Sequence, residues 1–178
     1  IIEERYPSIT LIKNKENLGF AAAVNIGIKA SKSDFVALLN NDTEVDEKWL
    51  VNLYSVISKD DKIFSASSKM IRFYERDKID DAGDQYNLLG WAYKRGDGVS
   101  IDQFNKDKII FSTCAGAGLY RRKIFEEIGY FDENFFAYLE DVDVSFRGNI
   151  YGYKNIYVNN DWDIELIENL GVDAIRKG

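Results

Sequence analysis

DFVALLNNDTEVD, residues 34–46, fixes how the rest of the chain is interpreted. Five apolar residues, Phe35 to Leu39, run straight into Asn40, Asn41 and Asp42. Short uninterrupted apolar runs mark strands buried on both faces, as in parallel sheets. In open α/β sheets, ligands bind just beyond the carboxyl ends of such strands. A carboxylate flanked by amides there offers hard oxygen donors to a divalent cation and, through it, to a phosphate. The same residue types also build Asn/Asp-rich turns. Spacing alone leaves both alternatives open, so the surrounding sequence has to choose.

Composition narrows the choice. The 178 residues are 46% hydrophobic and 30% charged, which suits one globular domain with a sizeable core. A net charge of −7 and a pI near 4.8 argue against nucleic acid as a partner. The single cysteine, Cys114, excludes an internal disulfide framework and fits a reducing, cytoplasmic setting. No apolar run approaches the roughly 20 residues that span a bilayer. The first residue is Ile1 rather than Met, which points to a natural start upstream. Most restrictive is the absence of histidine. It removes Ser-His-Asp and Cys-His nucleophilic catalysis and the commonest zinc ligand. Acid–base work then falls to carboxylates, Lys, Tyr or Cys114. The 30 acidic residues are hard ligands that suit Mg²⁺ or Mn²⁺.

Periodicity predicts alternating elements. A short strand is expected over 8–13 and a helix over 18–30, where Phe20, Ala21, Val24 and Ile28 share a face. A strand follows over 34–39, then an amphipathic helix over 47–58 with Trp49, Leu50, Leu53, Val56 and Ile57 on one side. This order points to a βαβ arrangement with a parallel sheet. Strands are expected within 63–74, and a long excursion with a hairpin over 75–100. Residues 111–120 read as a strand broken by Ala115, Gly116, Ala117 and Gly118, and 121–128 as a short helix stopped by Gly129. A helix over 140–151, a strand over 155–158 and a helical pattern over 162–176 complete the chain. No repeat or proline-rich linker divides it.

Two further clusters carry chemistry. In FDENFFAYLEDVDVSFR, residues 131–147, the carboxylates Glu140, Asp141 and Asp143 stand at the start of a helix. Acidic residues there cap the helix and complement its dipole, worth about 0.3–1 kcal/mol each. The aromatic approach of Phe131, Phe135, Phe136, Tyr138 and Leu139 also allows a carboxylate on a dry surface. Desolvation would raise its pKa and the helix N-terminus would lower it. The AGAG run, residues 115–118, is either tight strand packing or a backbone wall approached closely by a ligand.

NLGFAAAVNIGI (17–28), LLNNDTEVD (38–46), AGAGLYRRKIFEEIGYFDENFFAYLEDVDVSFR (115–147) and GYKNIYV (152–158) occur in that order. Together they resemble the family 2 glycosyltransferases, in particular the rhamnosyltransferase-like branch, over residues 9–158. The resemblance implies a GT-A fold, an α/β domain whose Rossmann-like, mixed but mostly parallel sheet is flanked by helices. It implies a nucleotide-diphosphate-sugar donor (UDP- or dTDP-linked), Mg²⁺ or Mn²⁺, and inversion at the anomeric carbon. The acceptor would be a glycan or a lipid-linked sugar in cell-surface polysaccharide synthesis, with peripheral association at the cytoplasmic membrane face. Asn40-Asn41-Asp42 matches the DxD-like motif, with Asp42 on the metal and Asn40 a neutral amide in place of the first acid. Asn17, Gly19 and Asn25 match the segment lining the nucleotide. Glu140-Asp141 matches the ED pair, whose second member, Asp141, would be the general base. Ala115 and Gly116 match the segment beside the donor sugar and acceptor. The family's opening strand, with the Asp-containing loop that holds the base, has no counterpart here. Nor does its late histidine, near which only Asp161 and Asp163 stand. The resemblance thus implies one domain over 1–178, incomplete at its N-terminus and divergent after 158.

The residue types suit this chemistry independently of the family. Inverting transfer needs one carboxylate to hold a cation against the leaving diphosphate and another to take the acceptor's proton. Asp42 and Asp141 supply both. Two other functions use similar parts: a sugar nucleotidyltransferase, which would show a Gly-rich basic phosphate loop, and a non-catalytic carbohydrate-binding or scaffold domain. In the latter, Tyr86, Trp91 and Tyr93 would stack on sugars, although aromatics of this kind more commonly lie in a core.

Overall fold

The computed structural model describes residues 2–159 and the backbone of 164–166. In chain order the elements are α1 (Ile2–Arg5), α2 (Gly19–Ala30), β1 (Phe35–Leu39), β2 (Thr43–Glu44) and α3 (Trp49–Ile57). Then come β3 (Ile63–Ser68), β4 (Met70–Arg72), β5 (Ile79–Asp81), β6 (Asp84–Tyr86), β7 (Ala92–Lys94) and β8 (Lys108–Ile110). The chain continues through β9 (Ala117–Arg121), α4 (Arg122–Ile128), α5 (Glu140–Ile150), β10 (Lys154–Val158) and β11 (Ile164–Leu166).

The central sheet has the order β1-β9-β3-β10-β8. β3 and β10 are parallel, while β9 runs against both β1 and β3, and β8 against β10. β1, β3 and β10 therefore share a direction and the sheet is mixed. A second sheet, β2-β11-β4-β5, and the β6–β7 hairpin stand beside it.

Alternation along the strands, interrupted in β3 by an irregularity at Phe64 where the register with β10 shifts, sends side chains to two cores. On one face Phe64, Tyr120 and Val36 meet Ala21 and Ile28 of α2, Phe125 of α4 and Val144 of α5. Phe64 and Phe125 pack edge to face at 5.0 Å, a geometry that favours aromatic pairs beyond their buried area. On the other face Ile63, Ala66, Leu119 and Val158 meet Trp49, Leu53 and Ile57 of α3. Each buried side chain of this size contributes about 1.5–3 kcal/mol. Arg121 ties the layers together, donating to the carbonyls of Ile57 (2.6 Å) and Ile63 (3.1 Å).

Several expected elements are corrected. Residues 8–13 form no strand, and Ile9, Leu11 and Ile12 are exposed. An apolar run becomes a strand only where a ladder partner is available, and none of the described residues pairs with it. β1 lies at the sheet edge rather than between two strands, so only Val36 is fully buried and Leu39 is open. Residues 111–116 are a connection between β8 and β9, not the first half of a strand. In the last segment, β11 pairs with β4 and β2 where a helix was expected. The rest of that helical pattern, with Asp161 and Asp163, lies outside the described residues.

Candidate active site

The end of β1 and the start of β9 build one wall of a cleft of about 960 Å³. The Asn40 N–H extends the β1 ladder by one step, donating to Gly116 O at 2.8 Å. Thr43 Oγ1 donates to Asn40 O at 2.7 Å and closes the turn behind it. A Cβ on Gly116 would stand 3.3 Å from Asn40 Nδ2, so the small residue lets this amide lie against the wall. Asp42 follows, half-buried, with its Oδ1 enclosed and without a hydrogen-bond partner among the described residues. Of the AGAG run, Ala115 and Gly116 line the cleft, while Ala117 and Gly118 belong to the packed strand.

Asp141 joins the cleft from the first turn of α5. Tyr138 and Leu139, immediately before it, are left-handed at φ 72° and 69°. Non-glycine residues in that region cost about 1–2 kcal/mol each, and such strain concentrates at functional sites. The turn aims Asp141 at the 111–116 connection. Its Oδ2 accepts the Ala115 N–H at 3.1 Å and its Oδ1 accepts the Val142 N–H at 2.8 Å. Burial pushes the Asp141 carboxyl above its ordinary range, against the lowering effect of those backbone donors. Desolvation therefore wins the contest between burial and helix terminus. Glu140 is also buried and raised by desolvation, and its Oε2 has no partner among the described residues. Asp143 is a scaffold residue: it pairs with Arg147 at 2.7 Å, and Arg147 donates to the carbonyls of Ile128, Gly129 and Tyr130.

The cleft brings together Asn17, Gly19, Asn40, Asn41 and Asp42 with Ala115, Gly116, Glu140 and Asp141. Asn25, expected beside the nucleotide, is instead 2% exposed and away from it. Its Nδ2 donates to Phe131 O (2.8 Å) and Glu133 Oε1 (2.9 Å), and its Oδ1 accepts the Phe131 N–H (3.1 Å). Gly19 serves close approach as well as lining. At φ +80°, its Cβ would fall 2.6 Å from Phe136 O, which accepts the neighbouring Phe20 N–H at 2.8 Å. Of the aromatic approach, Phe131 is in the core, whereas Phe136 and Tyr138 stand open beside the cleft. Trp91, at 69% exposed, and Tyr86 and Tyr93 are on the surface, contrary to the core expectation.

Four cleft residues had no warning in the sequence: Asp80, Asp81, Asp84 and Lys94. The run IDDAGD resembles a solvated loop, yet β5 and β6 bury all three acids. Only the apolar neighbours Ile79 and Ala82 hinted at this. Cys114 lines the same cleft, but burial pushes its thiol up and keeps it from being a thiolate.

Among the described residues no group of three or more His, Cys, Asp or Glu converges as a metal cage. Mg²⁺ and Mn²⁺ sites in phosphate-transferring enzymes commonly use one or two carboxylates, with substrate phosphate and water completing the shell. The enclosed, unpartnered Oδ1 of Asp42 fits that limited protein contribution.

The family model of glycosyl transferase family 2 matches residues 1–129, and the chain belongs to that family. It is 23% identical to the low-salt glycan biosynthesis hexosyltransferase Agl10 of Haloferax volcanii, over 96% of this chain and 55% of that protein. It is 25% identical to the N-acetylglucosaminyl-diphospho-decaprenol L-rhamnosyltransferase of Mycobacterium tuberculosis, over 87% of this chain and 58% of that protein. The chain thus spans little more than half the length of these curated relatives. Among solved structures it resembles a crystal structure of GalNAc-T7 with UDP, GalNAc and Mn²⁺. The TM-score is 0.73 at 17% identity, over 93% of this chain and 33% of the other. That likeness shows the GT-A fold expected from the sequence.

Proposed function

We propose that the chain transfers a sugar from a nucleotide-diphosphate donor to an acceptor hydroxyl, with inversion at the anomeric carbon. The observation that carries this is the presence, in one cleft, of both Asp42's enclosed, unpartnered oxygen and the desolvated carboxylate of Asp141. Asn17, Asn40 and Asn41 would face the donor, and Gly116 gives its sugar room. Asp42 would hold a divalent cation, which supplies positive charge for the departing diphosphate. The acceptor oxygen attacks the anomeric carbon while the bond from that carbon to the diphosphate oxygen breaks. Asp141 takes the acceptor's proton, and burial makes it a stronger base than an ordinary aspartate. A base in this position contributes about 10²–10⁴-fold. Glu140, beside it, would support the charge pattern of the pair.

The names of the relatives favour a hexose or deoxyhexose donor and a glycan or lipid-linked acceptor in surface polysaccharide assembly. A lipid-linked acceptor places the protein at the cytoplasmic membrane face. No described helix is long and apolar enough to cross a membrane. Incubation with labelled UDP- and dTDP-sugars, with and without Mn²⁺, tests the proposal. Metal-dependent release of nucleoside diphosphate with labelled glycoside is expected. Release or consumption of pyrophosphate would establish nucleotidyl transfer instead, and binding without turnover would leave a carbohydrate-binding domain.

A further inference from the structure

Beyond Asp42 and Asp141, the cleft carries a set of carboxyl groups that the transfer chemistry does not use. Asp81 is 1% exposed and lines the cleft. Its Oδ1 accepts the Gly83 N–H, while its Oδ2 is enclosed with no partner among the described residues. Asp84, at 9% exposed, is the more accessible, and its carboxyl takes no hydrogen bond from the described residues. Asp80 is already occupied: both its oxygens accept from Lys94 Nζ, at 3.1 and 3.0 Å. Asp84 is tied to the Asp141 end of the cleft through one residue: its N–H donates to Ser112 O at 2.9 Å, and Ser112 Oγ donates to Asp141 O at 3.1 Å. The pair thus sits on the Asp141 side of the cleft, from which an attacking hydroxyl must come. Buried polar oxygens without a protein partner are costly unless a water, an ion or a ligand completes them, and these line an open cleft.

We propose that Asp84 and Asp81 form the acceptor subsite, hydrogen-bonding ring hydroxyls of the acceptor sugar beside Asp141. This rests on the transfer function proposed above. Paired carboxyl groups suit neighbouring sugar hydroxyls, each of which both donates and accepts. A cation suits the place less well, because Lys94 already supplies positive charge there and the carboxyls do not form a cage. Burial and the neighbouring acids push Asp84 up to about 9 and Asp81 up to about 7. Near neutral pH, Asp84 is therefore a protonated carboxyl that donates one hydrogen bond and accepts another. Asparagine offers the same two functions in the same shape, and alanine offers neither.

The test uses the whole chain and a panel of methyl and p-nitrophenyl hexopyranosides, with binding read by saturation-transfer NMR. At least one glycoside is expected to bind. Asp84→Ala should weaken it about 10-fold or more, as should Asp81→Ala, and Asp84→Asn should keep it within about threefold. Asp42→Ala should leave it unchanged. A deoxy version of the bound glycoside, lacking the contacted hydroxyl, should bind the wild type as weakly as the parent binds Asp84→Ala. Thermal melts identify any variant that does not fold, in which case Asp84→Asn against the deoxy glycoside carries the test. Absence of glycoside binding, or binding indifferent to both alanine variants, overturns the subsite. The transfer function fails separately: Asp84-dependent glycoside binding with no transfer from any sugar nucleotide removes that function and leaves the subsite. Transfer with an acceptor KM untouched by Asp84→Ala does the reverse.

Discussion

At the scale of single residues, the same carboxylate chemistry is put to different uses by burial. Asp143 is neutralised by Arg147, whereas Asp141, two positions earlier, has only backbone donors and is pushed up by desolvation. The acid limb of the pH–kcat/KM profile should therefore lie above the range of an ordinary aspartate, because Asp141, as the proposed base, must be ionised to accept a proton. An acid limb at or below about 4 would place the base elsewhere. Asn25 illustrates the opposite outcome. The family resemblance implies a nucleotide contact for it, yet its amide replaces a backbone partner for both the N–H and the C=O of Phe131. Asn25→Ala leaves both groups unsatisfied in the core and should cost about 2–4 kcal/mol in urea unfolding. Donor affinity at a temperature where the variant stays folded should be unchanged.

At the scale of elements, the strands and helices with strong periodicity were readable, and those that depend on distant partners were not. Trp49, Leu53, Val56 and Ile57 of α3 and Ala21 and Ile28 of α2 are buried as their helical spacing predicts, with Phe20 and Val24 partly so, whereas Leu50, expected on the same face, is exposed. The tip of β1 and the start of α5 both line the cleft, and each carries a local signal, acids and amides after an apolar strand in one case and acids opening a helix in the other. Residues 8–13 looked like a strand from their own sequence, but a strand needs a neighbour that local sequence does not reveal. The acids of β5 and β6 were missed for a related reason. Their burial comes from the fold of the 79–112 region around them, and charge alone marks such a run as solvated. The loop before α5 depends on an element contact that can be tested. Gly19→Ala places a Cβ against Phe136 O at φ +80°, so α2 and the 135–139 loop must separate. Loss of about 1–3 kcal/mol of stability is expected, with a drop in kcat as Asp141 loses its fixed aim. A Gly19→Ala chain with wild-type melting and turnover would show that the close approach is not needed.

At the scale of the whole molecule, the mixed sheet with helices on both faces gathers the enclosed, unpartnered carboxyl oxygens of the described residues, on Asp42, Asp81 and Glu140, in one cleft with Asp84. That has a cost in pH stability whose sign is fixed. Asp81 and Asp84 ionise near 3.8 when unfolded but only at about 7 and about 9 when folded, chiefly through burial. Facing them are Asp80, Lys94, Asp141 and Cys114. Their contribution is fully present below pH 4 and is lost progressively as pH rises toward 9. Melting temperature should therefore fall between pH 5 and pH 8. Asp84→Asn should flatten that fall and raise the pH 8 value by on the order of 5 °C, since 1 kcal/mol moves a chain of this size by about 2–4 °C. A flat wild-type profile over that range would contradict the burial of an unpaired acid.

The central claim is that one cleft divides the work between Asp42 and Asp141, and a single comparison addresses it directly. Mn²⁺-dependent binding of the sugar nucleotide and transfer to the acceptor are measured side by side in wild type, Asp42→Ala and Asp141→Asn. The account predicts that Asp141→Asn lowers kcat by about 10²-fold or more with donor affinity within about threefold of wild type, whereas Asp42→Ala loses the Mn²⁺-dependent donor affinity itself. Near-normal turnover in Asp141→Asn, or unchanged Mn²⁺ dependence in Asp42→Ala, would contradict it.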